Sequence, residues 1–283
     1  MKKSDLIIIN ALLQLTVAAC FILSCSPDKQ IEKNKNTLNN MNLKGKVKSV
    51  TETVYNAVNK SGKIQKGKRD GITISNFNIN ENLIKYASYN SDDSLMLKRI
   101  YEYDEYGRLL VETHYWLGRI KSKHTYTYDG QGHNIKEQYY ASPPGPYIEN
   151  SSTTIFKYDN SGNIIEKITN YENGSSDHRI YSYDNRGNII KEKSLSRDFE
   201  AIYSYDENNN CIGMNYLHST GNDLLYTYKY DEKGNMLQSI CNVVDRRIII
   251  NFKYEQFDRF GNWLIKTQTG ADTSITEREI EYY

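Results

Sequence analysis

Seven copies of one short pattern constrain this chain more than any other feature of it. YEYDEYGRLL (101–110), FKYDNSGNII (156–165), YSYDNRGNII (181–190) and YKYDEKGNML (228–237) share aromatic-x-Tyr-Asp-x-x-Gly-polar-aliphatic-aliphatic. YTYDGQGHNI (126–135) has one extra residue after its Gly, and YSYDENNNCI (203–212) puts Asn209 where Gly belongs. A seventh copy around Asp258, Gly261, Asn262 and Trp263 is altered just upstream. The repeated Asp falls at 104, 129, 159, 184, 206, 231 and 258. A period of that size marks an array of one supersecondary unit, each copy burying its apolar face against its neighbours.

The turn chemistry identifies the unit. In a hairpin with a three-residue loop, two residues take right-handed helical angles and the third sits at positive φ, leaving a bulge where the strand resumes. Gly occupies that third position without steric cost, and Asn is the next most tolerant residue, which fits Asn209. Asp before the loop hydrogen-bonds the backbone two residues on. In the six unaltered copies, aromatics stand one and three residues before Asp, as in Tyr101/Tyr103, Phe156/Tyr158 and Tyr228/Tyr230. The residue between them is Glu102, Thr127, Lys157, Ser182, Ser204 or Lys229, always polar. Alternation along a strand therefore makes one sheet face a tyrosine ladder and turns the other to water. Seven two-strand repeats give about fourteen antiparallel strands, a number at which an open sheet curls, splits or flattens.

The Tyr-Asp core with Gly-Asn or Gly-Arg three residues later resembles the YD repeats, also called RHS repeats, of bacterial Rhs and Tc toxin proteins and of the animal teneurins. The resemblance covers residues 99 to about 265, with the closing residues 275–283 extending the same sheet. It implies an all-β fold in which antiparallel β-hairpin repeats form one long curled or spiralling sheet. In large members of that family the sheet encloses cargo; this chain is far shorter and lacks the proline-containing core element that ends the toxin shells, so a cargo-enclosing toxin is not expected.

The N-terminus sets the compartment. Met1-Lys2-Lys3 is basic, residues 6–23 are mostly apolar, and the stretch ends in Ile22-Leu23-Ser24-Cys25. It resembles a bacterial lipoprotein signal, cut before a cysteine that receives lipid chains; several chains anchor a protein stably where one does not. Cys25 is the expected lipidation site, with Cys20 the competing one. The expected organisation is a cleaved signal at 1–24, a lipid-anchored flexible tether at 25–42, N-terminal strands with degenerate repeats at 43–98, and YD-type hairpins with a C-terminal strand at 99–283. Ser26 after Cys25 lacks the Asp that marks inner-membrane retention in lipoproteins, so the resemblance favours the outer membrane, facing either the periplasm or the surface. Lys44, Lys46, Lys48, Lys60, Lys63, Lys66, Lys68 and Arg69 follow closely. They read either as contacts to lipid head groups or, preferably, as a solvated strand pair with a lysine-rich loop.

Composition then excludes function classes. Thirty-six basic and 35 acidic side chains leave a formal charge of +1, without the chain-wide basic footprint of a nucleic-acid binder. Twenty-five tyrosines argue against disorder. The tyrosine face offers a stacking surface for sugars, but it is the one apolar face that recurs in every repeat, so core packing is the preferred reading, with hydroxyls finding partners at its edges. One Asp per turn supplies too few oxygens for calcium. His114, His124, His133, His178 and His218 lack metal spacing, and no nucleophile, metal or cofactor motif is present. No catalytic residue, metal or cofactor is therefore assigned, and an enzyme assembled from distant residues ranks third. Cys211 and Cys241 lie two and seven positions after their turn residues, which places them on opposite faces by simple alternation and predicts two unpaired, mostly buried thiols.

The strongest local outlier is 139–147. Tyr139, Tyr140 and Tyr147 flank Pro143, Pro144 and Pro146, three of the four prolines, and the stretch accounts for the 30-residue repeat spacing. Stiffened by proline, it reads as a preorganised aromatic contact surface or as an insertion tolerated at a hairpin end. The expectation is a noncatalytic binding or adhesion module of the cell envelope, taking glycan or an envelope or cell-surface protein as partner. The alternative is a structural or immunity-type scaffold protein.

Overall fold

The computed structural model describes Leu38 and residues 41–141, 151–218, 223–243 and 246–283. Among these are eighteen strands in simple sequence order. They are β1 (Val47–Lys60), β2 (Lys63–Phe77), β3 (Leu83–Asn90), β4 (Leu95–Tyr103), β5 (Leu109–Trp116) and β6 (Arg119–Tyr128). Next come β7 (Asn134–Ala141), β8 (Ser151–Tyr158), β9 (Ile164–Tyr171), β10 (Ser176–Tyr183), β11 (Ile189–Ser194) and β12 (Phe199–Tyr205). The last six are β13 (Cys211–His218), β14 (Leu224–Tyr230), β15 (Met236–Val243), β16 (Arg246–Phe257), β17 (Trp263–Thr269) and β18 (Ser274–Tyr282).

Each strand pairs antiparallel with the next, and β1 pairs with β18 from Val47↔Tyr282 to Asn56↔Ser274. The sheet is therefore a closed eighteen-strand up-and-down barrel, which corrects the expected open, curled or spiralling array of YD/RHS-type hairpins. The physical reason lies outside the repeats. The seven motif copies account for β4 to β17, whose two ends would be bare edges. The strands outside the seven copies, β1 to β3 and β18, with a degenerate turn at Asn78 to Asn82 joining β2 to β3, pair with one another and remove both edges, as closure alone can.

The predicted turn is present at every copy. At Asp184, Gly187 N donates to Asp184 O at 3.0 Å, Asp184 N to Asn188 O at 2.9 Å, and Gly187 has φ 78°. Asn209 takes the same place at φ 63°. Asp184 Oδ1 accepts from Arg186 N and Asn188 N. Its Oδ2 accepts from Asn188 Nδ2 at 2.9 Å, which explains the Asn after Gly: its amide uses the carboxylate's remaining oxygen. The same Asn-to-Asp bond recurs at Asn163, Asn210, Asn235 and Asn262.

The tyrosine ladder faces inward. Phe156, Tyr181, Tyr203 and Tyr228 are buried, as the core reading expected. In five of the six pairs the second tyrosine reaches sideways to the neighbouring strand and donates to the carbonyl of that strand's first residue. Tyr103 bonds Leu83 O, Tyr128 Leu109 O, Tyr158 Asn134 O, Tyr183 Ile164 O and Tyr205 Ile189 O, all within 2.6–2.8 Å. Tyr254 does the same to Met236 O in the altered copy. Phenylalanine would pack but could not make this stitch, which explains why tyrosine holds this position.

A bulge follows each turn, and it overturns one parity argument. Ladder register shifts between Lys229 and Tyr230, so Leu237 is an extra residue pointing outward. Counting then restarts: Cys241 sits opposite Tyr226 and faces inward like Cys211, not on the opposite face. Cys241 is a free thiol, held above its ordinary pKa by burial. Cys211 is disulfide-bonded, contrary to the expectation of two free thiols.

Candidate functional site

The barrel has two unlike ends. At one lie the Asp turns and the chain's entry into β1. Leu38 and Leu43 are buried with Val47, Val50 and Phe77, and Asn42 and Lys44 lie against the turns. Asn42 Nδ2 donates to Asn235 Oδ1 at 3.0 Å, Lys44 N to Asn262 Oδ1 at 2.8 Å, and Asn262 Nδ2 to Lys44 O at 2.9 Å. Part of the stretch expected as tether, at its C-terminal limit of residue 42, is thus packed on the barrel. Lys44, Lys46 and Lys48 stay at this end, whereas Lys60 and Lys63 stand at the tip of β1 and β2 at the other. The basic cluster that is continuous in sequence is split between the two ends.

The opposite rim carries the linkers between hairpins. Among the described residues, its most exposed apolar feature is the tip joining β5 to β6, where Trp116 is 49% and Leu117 59% exposed. Leu117 (φ 46°) and Gly118 (φ 78°) both have positive φ, the two-residue turn normally filled by Asn-Gly. An exposed leucine held there costs roughly 1 kcal/mol in backbone strain. Ile120 and Tyr140, also exposed, stand nearby on β6 and β7.

Of the sequence-derived candidates, Tyr139 and Tyr140 are described and they diverge. Tyr139 turns inward, its ring 4.8 Å from that of His124, and is a wall residue. Tyr140 turns outward, opposite Lys123, and is 45% exposed. Pro143, Pro144, Pro146, Tyr147 and the expected lipidation site Cys25, with its competitor Cys20, lie outside the described residues.

Inside the wall, charges come in matched sets. Glu112 meets His114 at 2.5 Å, and His124 meets Glu137 at 2.7 Å. Burial favours the neutral acid at Glu112, but the His114 hydrogen bond and the charges of His114, Arg99 and His124 hold it below the ordinary carboxylate range. Arg179 bridges Asp177 at 2.8 Å and Glu192 at 2.6 Å, and Tyr203 donates to Glu192. Burial opposes the Arg179 charge, yet Glu192 and Asp177 raise its pKa. Arg278 bonds Glu52 at 2.9 Å and stacks 3.4 Å over Trp263. These carboxylates are already engaged by cations and tyrosines, so their geometry serves wall packing. Among the described residues no group of three or more His, Cys, Asp or Glu converges as metal ligands.

The outward face alternates by row. Aliphatic positions such as Ile165, Ile190 and Ile212 adjoin a row holding Lys157, Glu166, Lys191 and Lys229, and a second aliphatic row with Ile155, Ile180 and Ile202 follows. A lipid-facing barrel needs a continuous apolar band about 25 Å tall, in which a mid-depth lysine costs about 2–4 kcal/mol. The charged row interrupts any such band.

No family model matches this chain, and no curated protein matches it. Solved structures with some likeness include the Tc holotoxin pore of Photorhabdus luminescens, at 14% identity and TM-score 0.35, covering 83% of this chain and 14% of that one. A porin-like protein of Bacteroides uniformis shows 10% identity and TM-score 0.43, covering 83% and 96%. One from Bacteroides vulgatus shows 11% identity and TM-score 0.40, covering 85% and 99%. At these values the likenesses carry no argument about function; the barrel assignment stands on the strand pairing itself.

Proposed function

We propose that this chain is a YD-repeat lipoprotein of the bacterial cell envelope, anchored to the outer membrane through Cys25, and that its barrel is a noncatalytic binding module for a glycan or an envelope protein. The barrel itself stands in water, because its outer face is interrupted by charge. Entry of the chain at the Asp-turn end supports an anchor on that side, with the opposite rim free for a partner. One observation carries the reading: the Trp116-Leu117 tip on that rim holds apolar side chains in solvent at a conformational cost that folding does not require.

The test is a screen of the purified protein against glycans and envelope proteins, repeated with Trp116→Ala and Tyr140→Ala. Binding that both substitutions weaken supports the rim as the contact surface. No binding to any glycan or envelope protein overturns the module reading. For the anchor, palmitate labelling is expected to disappear in Cys25→Ala and persist in Cys20→Ala; the reverse pattern moves the anchor to Cys20.

A further inference from the structure

The outer surface of β3 to β7 departs from the rest of the barrel. Tyr89, Tyr115 and Tyr140 each stand eight residues after the positive-φ residue of their own turn, at Glu81, Gly107 and Gly132. In the later hairpins the same position holds Asn170, Leu195, Leu217, Asn242 and Thr269. Lys98 and Lys123 each stand six residues before their turn Asp, where later hairpins carry Thr153, His178, Glu200, Leu225 and Phe252. Register brings the two sets together: Lys98 is opposite Tyr115 and Lys123 opposite Tyr140. The Lys98 ammonium lies 3.9 Å over the Tyr115 ring. The result is a stripe of tyrosine, lysine, tyrosine, lysine, tyrosine across five consecutive strands, near the rim that carries Trp116.

The repeat does not account for this stripe, since the ladder, the stitches and the turns use other positions. Its charge is one-sided as well. The outward faces of these strands add Lys85 and Lys136 and hold one carboxylate, Glu102, in a chain whose charges balance overall. The carboxylates Glu112 and Glu137 of the same strands point inward to histidines. Successive stripe tyrosines are two strands apart, about 9.6 Å across the sheet, and offset by two residues along the strands, since Lys98 stands opposite Ala87 and Lys123 opposite Thr113, which makes the interval about 12 Å. Aromatic rings at that interval suit separate rings of one extended sugar chain, and ammonium groups between them suit its carboxylates or phosphates.

We propose that Tyr89, Lys98, Tyr115, Lys123 and Tyr140 form a binding stripe for an acidic polysaccharide laid along the outside of the barrel. This deepens the binding-module reading and rests on it. The proposal commits to glycan because three aromatic rings at a regular interval with few cations suit sugar stacking better than a polyphosphate backbone.

Affinity electrophoresis of the purified protein in native gels containing polygalacturonate, with dextran as the neutral control and a single-stranded oligodeoxynucleotide as competitor, tests it. Retardation is expected in polygalacturonate and not in dextran, and should weaken with added salt. Lys98→Gln/Lys123→Gln should bind on the order of tenfold more weakly. Tyr115→Ala should weaken binding too, while Lys157→Gln, on the outer face beyond the stripe, should not; circular dichroism confirms that each variant is folded. Equal retardation of the double lysine variant, equal retardation in dextran, or tighter binding of the oligonucleotide overturns the stripe. Binding of other glycans that survives all these substitutions overturns the stripe and leaves the module reading standing.

Discussion

Gly187 offers the sharpest test of the turn that sets the whole architecture. It sits at φ 78°, and a Cβ there would meet Asn163 Oδ1 at 3.7 Å, an ordinary contact. Crowding therefore contributes nothing, and the cost of a side chain is conformational. A left-handed L-residue costs roughly 1–2 kcal/mol, and a β-branched one lies at the upper end or beyond. Reduced freedom of the unfolded chain returns about 0.4–1 kcal/mol. Gly187→Val should thus destabilise by about 1–2 kcal/mol, which at about 2–4 °C per kcal/mol lowers Tm by roughly 2–8 °C. Gly187→Asn should be nearly neutral, because Asn209 already holds the equivalent position at φ 63°. Thermal melts followed by circular dichroism, with urea melts for ΔG, measure both. Equal Tm values for Val and Asn variants would refute the left-handed assignment and with it the shared turn.

Three further outcomes follow from the same geometry. Tyr183→Phe, which removes a 2.6 Å bond to Ile164 O, should cost about 1 kcal/mol in urea melts, rising to about 3 if the carbonyl finds no water; an unchanged midpoint would mean the stitch contributes only packing. Asp129 and Asp159 are held below 3.8 chiefly by hydrogen bonds from His133 and Asn163, and Asp104, Asp184 and Asp258 are lowered by similar bonds against the opposing effect of burial. Their folded pKa values lie below the unfolded ones, so their stabilisation is full above about pH 4 and is lost as pH falls below it. Tm should be level from neutral pH to about 5 and drop steeply under 4, and a drop that begins well above pH 5 would contradict this origin. Leu117→Asn should raise stability by up to about 1 kcal/mol while weakening ligand binding, and a loss of stability would remove the argument that this residue is strained.

Much of this was legible because the repeat is local. Asp104 and Gly107 specify a turn within four residues, and period-two alternation puts Tyr101 and Tyr103 on one face without any tertiary information. Closure was not legible, since the pairing of Val54 with Thr276 is a long-range fact and β1 and β18 carry no motif. The post-turn bulge also escaped simple alternation and sent Cys241 inward. The stripe left a signal that could have been found: tyrosine eight residues after Glu81, Gly107 and Gly132, at a position no repeat requires. In sequence it is masked by the ladder, because 25 tyrosines look alike until register separates walls from surface. Tyr139 and Tyr140 show the difference directly, one against His124 and the other in water.

Closure is the central feature, since it puts the ladder inside and leaves the outer face to bind. Thr53 and Glu277 are register partners on β1 and β18, and both side chains point outward. Directly opposed residues in an antiparallel pair have Cα atoms about 4.5–5.5 Å apart, within disulfide range. The measurement is peptide mapping of Thr53→Cys/Glu277→Cys after mild oxidation of the monomer. Near-complete linkage of the peptides holding positions 53 and 277, at a yield independent of protein concentration, is predicted. Linkage that appears only between molecules, or not at all, would show an open sheet with its ends apart and contradict the barrel.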